Sequence, residues 1–215
     1  MKSRNLLAAT AAAAVGTLIG SVTVLVIRKL TEPGPVEPLR VGEPFPSMTG
    51  HLLSGAKMTI PDEMLGRVGV IIGGWDYAAR FEVESWGMAV LEIYGERPDL
   101  TVLEVPWISG VGPVMRRVID AAMERGTMPE ARRHVLTVYG DLRRLRKRLA
   151  VANYPPQAYI YVLGRTGRLA WKTNGAPTPE KFAALKEALA DQGVTSWEGP
   201  RHTRATVGGN GHAEG

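Results

Sequence analysis

Two stretches of this chain carry residues whose types and spacing bear on chemistry. Residues 73–78 (GGWDYA) leave an apolar run and enter a helical pattern. Residues 141–149 (DLRRLRKRL) place five basic side chains, Arg143, Arg144, Arg146, Lys147 and Arg148, in six positions. The 215-residue chain has no cysteine, which excludes disulfides, thiol redox catalysis, thiolate zinc sites and iron–sulfur clusters within it. Of its four histidines, His51 and His134 lie far apart with no carboxylate at ligand spacing from either, and His202 and His212 reflect the composition of the tail, so no metal site is expected. No Ser/His/Asp arrangement stands at a recognisable spacing either. No catalytic residue and no cofactor-binding residue is therefore assigned, and the chain reads as a non-enzyme.

Two readings compete for each stretch. Asp76 has the position to cap a helix, its carboxylate accepting backbone N–H groups. Alternatively, Trp75 and Tyr77 form an aromatic contact for a partner. The basic segment is either a solvated face, with Leu142, Leu145 and Leu149 on the apolar side, or a contact surface. Near an anionic membrane each basic residue contributes up to about 1 kcal/mol. An acidic segment of a partner protein would serve equally well. The net charge of +5 suits either, but no nucleic-acid module is visible, so nucleic acid is not expected as a partner.

The elements that must position these residues are legible. Residues 154–175 (YPPQAYIYVLGRTGRLAWKTNG) read as a β-hairpin, with a strand over Ala158–Leu163, a turn bounded by Gly164 and Gly167, and an alternating strand after it. Thr178 and Pro179 open a helix over Pro179–Asp191 that presents Phe182, Leu185 and Leu189 and stops at Gly193. A hairpin followed by a helix is the closing half of a thioredoxin-like domain. Earlier, residues 41–60 read as a lead-in hairpin, and residues 68–72 as a strand buried on both faces. Val83, Trp86, Val90 and Ile93 trace a helix, and residues 100–105 the next, parallel strand. Val114, Met115, Val118, Ile119 and Ala122 trace another helix, and residues 134–139 (HVLTVY) a further strand. The expected domain is an α/β thioredoxin-like sandwich, a central mixed sheet with flanking helices, over residues 41–193. In a thiol oxidoreductase of this kind the turn at 73–78 would carry Cys-x-x-Cys, with the helix N-terminus lowering the first thiol's pKa.

Ahead of this domain, residues 6–27 form a charge-free run between Lys2/Arg4 and Arg28/Lys29. At about 1.5 Å per residue it spans the hydrocarbon core of a bilayer as one transmembrane helix. A cleaved signal and an organellar targeting segment are the alternatives. The expected location is the inner (cytoplasmic) membrane, single-pass. The nearly balanced basic flanks leave the side of the soluble domain open. Gly16 and Gly20 fit a small-xxx-small pattern for a helix-mediated dimer, though an alanine-rich helix produces such spacing by chance. Residues 28–40 read as a proline-rich spacer and residues 194–215 as a disordered tail.

The run from Val135 through Leu185 resembles the family of inner-membrane assembly factors for the membrane sector of mitochondrial ATP synthase. Tyr139-Gly140, Asn153, Tyr161-Val162-Leu163, Gly167-Arg168-Leu169-Ala170-Trp171 and Gly175 carry the resemblance, with Phe45-Pro46, Pro61, Leu65-Gly66 and Ser85-Trp86 upstream. It implies a thioredoxin-like, peroxiredoxin-like fold without thiol chemistry that acts as a chaperone for a membrane-embedded client subunit. Thioredoxin-like folds also carry a cis-proline before the closing hairpin, which makes Pro156, or Pro155, the candidate. The rival reading is a membrane-bound thioredoxin- or peroxiredoxin-like oxidoreductase using a non-cysteine group or a bound cofactor.

Overall fold

The computed structural model describes residues 35–152 and 155–196. The apolar stretch 6–27, Gly16 and Gly20, and the tail from residue 197 lie outside the described residues. Among the described residues no helix is long and apolar enough to cross a membrane. Contacts divide the chain into two units, Arg40–Gly140 with Ala152–Gly215, and Met1–Leu39 with Asp141–Val151.

The larger unit is built on β1 (Met48–Leu52), β2 (Lys57–Ile60), β3 (Val68–Gly74), β4 (Leu100–Ser109), β5 (Leu136–Gly140), β6 (Ala158–Leu163) and β7 (Leu169–Asn174). They form one mixed sheet in the order β2-β1-β5-β4-β3-β6-β7. Three helices belong to this unit: α1 (Arg80–Tyr94), α2 (Pro113–Gly126) and α4 (Pro179–Asp191). The short α3 (Arg143–Arg148) belongs to the other.

The glycine-bounded run at β3 is the centre of the sheet. It pairs in parallel with β4, Val70 opposite Val102, and antiparallel with β6, Val70 opposite Val162. With neighbours on both edges and both faces covered, every residue from Val68 to Gly73 is buried. Val68, Val70 and Ile72 share one core with Val83, Trp86, Val90 and Tyr94 of α1 and Leu185, Ala188 and Leu189 of α4. Each of the valine, leucine and isoleucine side chains contributes roughly 1.5–3 kcal/mol by leaving water. Trp86 also donates from Nε1 to the Gly175 carbonyl at 2.8 Å, which ties α1 to the end of β7. Phe182, expected in the core, is only half-buried and leans on Trp86 at 5.9 Å between ring centroids.

The closing hairpin has the expected form. Gly164 N–H donates to the Arg168 carbonyl at 2.9 Å, and Gly167 takes φ +71°, a conformation that side chains other than glycine's disfavour. Thr178 Oγ1 accepts from Lys181 N–H at 3.3 Å and caps α4.

Two elements differ from expectation. The strand expected over 134–139 begins only at Leu136, because Pro129–His134 forms a 3-10 segment. His134 then uses Nδ1 to donate to the Val102 carbonyl at 3.0 Å, so a side chain stands where strand pairing would otherwise extend. The helix at 113–126 forms as expected, but its apolar stripe faces outward. Val114, Met115 and Val118 are exposed, while Arg116 and Asp120 turn inward to Tyr139. The Tyr139 hydroxyl donates to Asp120 at 2.7 Å, and the Arg116 guanidinium lies 5.3 Å from the Tyr139 ring centre.

In the smaller unit the described residues are 35–39 and 141–151. The spacer does not end as a loose strand: Leu39 N–H donates to the Arg148 carbonyl at 2.7 Å, and Arg148 Nη1 donates to the Glu37 carbonyl at 2.8 Å.

Candidate functional site

The turn leaving β3 stands at the sheet end where Gly74 lies opposite both Pro106 and Ala158. Trp75 follows Gly74 directly, and Pro156 precedes Ala158 by two residues, so both sit at this same end. Asp76 is extended, with φ −145°, and its carboxylate accepts from Ala78 N–H at 2.8 Å. It caps the 3-10 turn Tyr77–Ala79, which runs straight into α1. Glu82, one turn into α1, accepts from Ala158 N–H at 2.8 Å and fixes the helix start against β6.

Trp75 and Tyr77 take different places. Trp75 is half-buried and stacks on Trp107 of β4, with ring centres 4.8 Å apart and planes within 22°. The six-membered ring of Trp107 packs directly against Gly73; a Cβ there would fall 1.6 Å from its Cζ3. Tyr77 is 76% exposed. Arg80 donates to the Tyr77 hydroxyl, and its guanidinium sits 4.5 Å from the Tyr77 ring centre and 4.3 Å from that of Phe81, itself 63% exposed. Each exposed cation–π contact of this kind contributes about 0.5–1 kcal/mol, enough to hold both rings in place at the surface. Sequence reasoning found Tyr77 but missed Arg80 and Phe81; their spacing of three and four residues from Tyr77 was the available signal. It also missed Trp107, for which the Gly73-Gly74 pair at the strand end was the clue.

No cysteine stands at this turn. Asp76 is used as a cap, the Tyr77 hydroxyl faces a guanidinium, and both tryptophans are committed to stacking.

The cis-proline expectation is corrected. The cis peptide bond among the described residues joins Ile60 to Pro61, not Pro155 to Pro156. The bond into Pro155 involves Tyr154, outside the described residues. Cis bonds are a small minority even before proline, and nothing local in the sequence marks Pro156 for one.

The five basic residues of the smaller unit do not share one open face. Arg143, Arg144 and Lys147 are exposed, whereas Arg146 and Arg148 are half-buried. Arg143 grips Asp141 through two hydrogen bonds, 2.8 and 2.6 Å, and thereby lowers that carboxyl to about 2. α3 itself spans only six residues, shorter than the amphipathic run suggests.

One half-buried acid stands apart from these groups. Glu104, on β4, lies against α1 at Gly87, where a Cβ would come within 2.0 Å of its Oε1. Burial, reinforced by the charge of Glu84, pushes its carboxyl up to about 7.

No protein-family model matches the chain, and no curated protein matches it. Solved structures do. A protein from Aquifex aeolicus VF5 assigned to electron transport is 13% identical, covers 70% of this chain and 99% of its own, and has a TM-score of 0.51. BsSco, a member of the Sco family of cytochrome c oxidase assembly proteins, is 11% identical over 76% of this chain and 100% of its own, with a TM-score of 0.50. The thioredoxin domain of a thiol-disulfide oxidoreductase from Bacteroides vulgatus is 15% identical over 69% and 97%, with a TM-score of 0.49. At these identities the likeness concerns fold alone: the chain has a mixed α/β thioredoxin-like fold, a central sheet with helices.

Proposed function

We propose that this chain is a thioredoxin-like binding domain without thiol chemistry, tethered to a membrane through residues 6–27, that assists assembly or stability of a membrane protein complex. The observation that carries the reading is the turn after β3. Where this fold holds a cysteine pair in thiol oxidoreductases, the chain stacks Trp75 on Trp107 and displays Tyr77 and Phe81 around Arg80. A turn of this kind carries no cysteine and keeps an exposed contact face. Aromatic and arginine side chains together are the residue types that dominate the energetics of protein interfaces.

The sequence resemblance supports the membrane sector of ATP synthase as the client. The exposed Arg143, Arg144 and Lys147 are suited to anionic headgroups or an acidic client segment. Affinity purification of the full chain from solubilised membranes tests this. Membrane-sector subunits of ATP synthase are expected in the eluate, and Tyr77→Ala with Phe81→Ala should reduce their recovery several-fold. Recovery of no membrane complex overturns the reading. So does clear turnover of insulin disulfides or peroxide by the purified protein.

A further inference from the structure

A second site lies at the other end of the sheet. β3 and β4 run parallel from Val68 opposite Leu100 to Gly74 opposite Pro106, so their starts lie about 20 Å from the aromatic turn. β5 joins β4 only from the Glu104–Val135 bridge onward, which leaves the first residues of β4 without a strand on that side. The resulting notch has a volume of about 320 Å³. Its wall gathers Arg67, Arg97, Arg133 and His134 from three separate segments of chain, with Glu96 and Thr101 between them. Met58, Leu91 and Leu103 supply apolar lining.

The charges there do not cancel. Arg133 pairs with Glu96, and Arg97 holds Asp99 through two hydrogen bonds, with Arg165 4.0 Å from the same carboxylate. Of the residues that line the notch, three guanidinium groups, Arg67, Arg97 and Arg133, stand against one carboxylate, Glu96. Among the described residues Arg67 has no carboxylate partner; it donates to the Glu63 carbonyl at 2.8 Å. The tautomer of His134 is set by the bond its Nδ1–H makes to the Val102 carbonyl, which turns Nε2 toward Arg133, at 3.4 Å, and toward the Glu96 carboxylate, at 3.5 Å. Thr101 Oγ1 is buried at this notch with no hydrogen-bond partner among the described residues. A hydroxyl removed from water in this way calls for a ligand or a bound water.

We propose that this notch binds a phosphate-bearing anion, with Arg67 and Arg133 as the principal cationic contacts and Thr101 as a hydroxyl donor. A phosphate carries close to two negative charges and several acceptor oxygens, which match the surplus of guanidinium donors. The notch is too small for a dinucleotide and of a size for a phosphomonoester or one lipid headgroup. The inference does not depend on the client proposal, because none of these residues belongs to the aromatic turn or to α3.

Calorimetric titration of the full chain with glycerol 3-phosphate, in phosphatidylcholine nanodiscs at low ionic strength, tests it. Saturable one-site binding is expected. Arg67→Gln and Arg133→Gln should each weaken it about tenfold, the effect of losing one charge-assisted hydrogen bond. Thr101→Val, which keeps the side-chain shape, should weaken it about threefold. Arg144→Gln with Lys147→Gln should leave it unchanged. Competition by phosphatidic acid in the nanodisc assigns the site to a lipid headgroup; its absence assigns a soluble phosphomonoester. No saturable binding, or binding insensitive to Arg67, Arg133 and Thr101, overturns the proposal.

Discussion

Helices α1 and α2 each follow a parallel strand and each carry an apolar stripe, yet they meet opposite fates. In α1, Val83, Trp86, Val90 and Tyr94 close over the sheet, and exposed positions are left to residues such as Glu84 and Met88. In α2 no residue is buried; Val114 is 77% exposed, and the inward contacts are the polar ones around Tyr139. Periodicity reports that a helix has an apolar face, but not which way it is turned. What decides the direction is the neighbour: α1 starts from a cap and an anchor, Asp76 and Glu82, that set its rotation on the sheet, whereas α2 is held from below by an arginine over a ring and a phenol on a carboxylate.

That contrast can be broken at several points. The largest effect belongs to Trp86→Ala, which empties the core under α1 and strands the Gly175 carbonyl; a loss of about 3–5 kcal/mol in chemical denaturation is expected. The next concerns Glu104 beneath Gly87. Its carboxyl titrates near the ordinary value of 4.5 in the unfolded chain and about 7 when folded. Between those values the folded state holds a proton that the unfolded state has released. Stability therefore falls as pH rises from about 4.5 and is lowest above 7, by up to about 3 kcal/mol. Glu104→Gln should remove most of this slope in denaturation measured from pH 5 to 8, and a slope that survives intact would contradict the half-buried placement.

Smaller effects are expected from α2. Tyr139→Phe removes the hydroxyl that holds Asp120 and should cost about 1 kcal/mol. Hydrogen exchange should then accelerate in residues 113–126 and not in α1. Smallest of all, Val118→Ser should change global stability by less than about 0.5 kcal/mol, as for other exposed positions. A loss as large as that at Trp86 would mean the stripe is covered.

Much of the scaffold is legible in the amino-acid order, for identifiable reasons. The closing hairpin is marked by glycines at its turn, and α4 by Thr178 and Pro179 at its start and Gly193 beyond its end. β3 is marked by an unbroken apolar run, since a strand covered on both faces tolerates nothing else. The candidate turn is legible as the absence of cysteine at a strand-to-helix junction. Its geometry is less so: Trp75 reads like Tyr77 in a string of letters, and only the ring of Trp107, some thirty residues away, separates the half-buried one from the displayed one. Glu104 leaves a faint mark, a glycine at position 87 inside a helix, where glycine is costly without a reason. The phosphate notch leaves none, because its arginines come from distant segments that only the folded sheet assembles.

The close contact of Trp107 with Gly73 has a consequence for anyone wishing to install redox activity on this scaffold. Introducing thiols at positions 75 and 78 alone would delete the indole stacked on Trp107 and uncover a ring that is now only 2% exposed. With Trp107 in place, Gly73 permits no side chain that could refill the space. A smaller side chain at position 107 of β4 would have to come first, before any sulfur became useful.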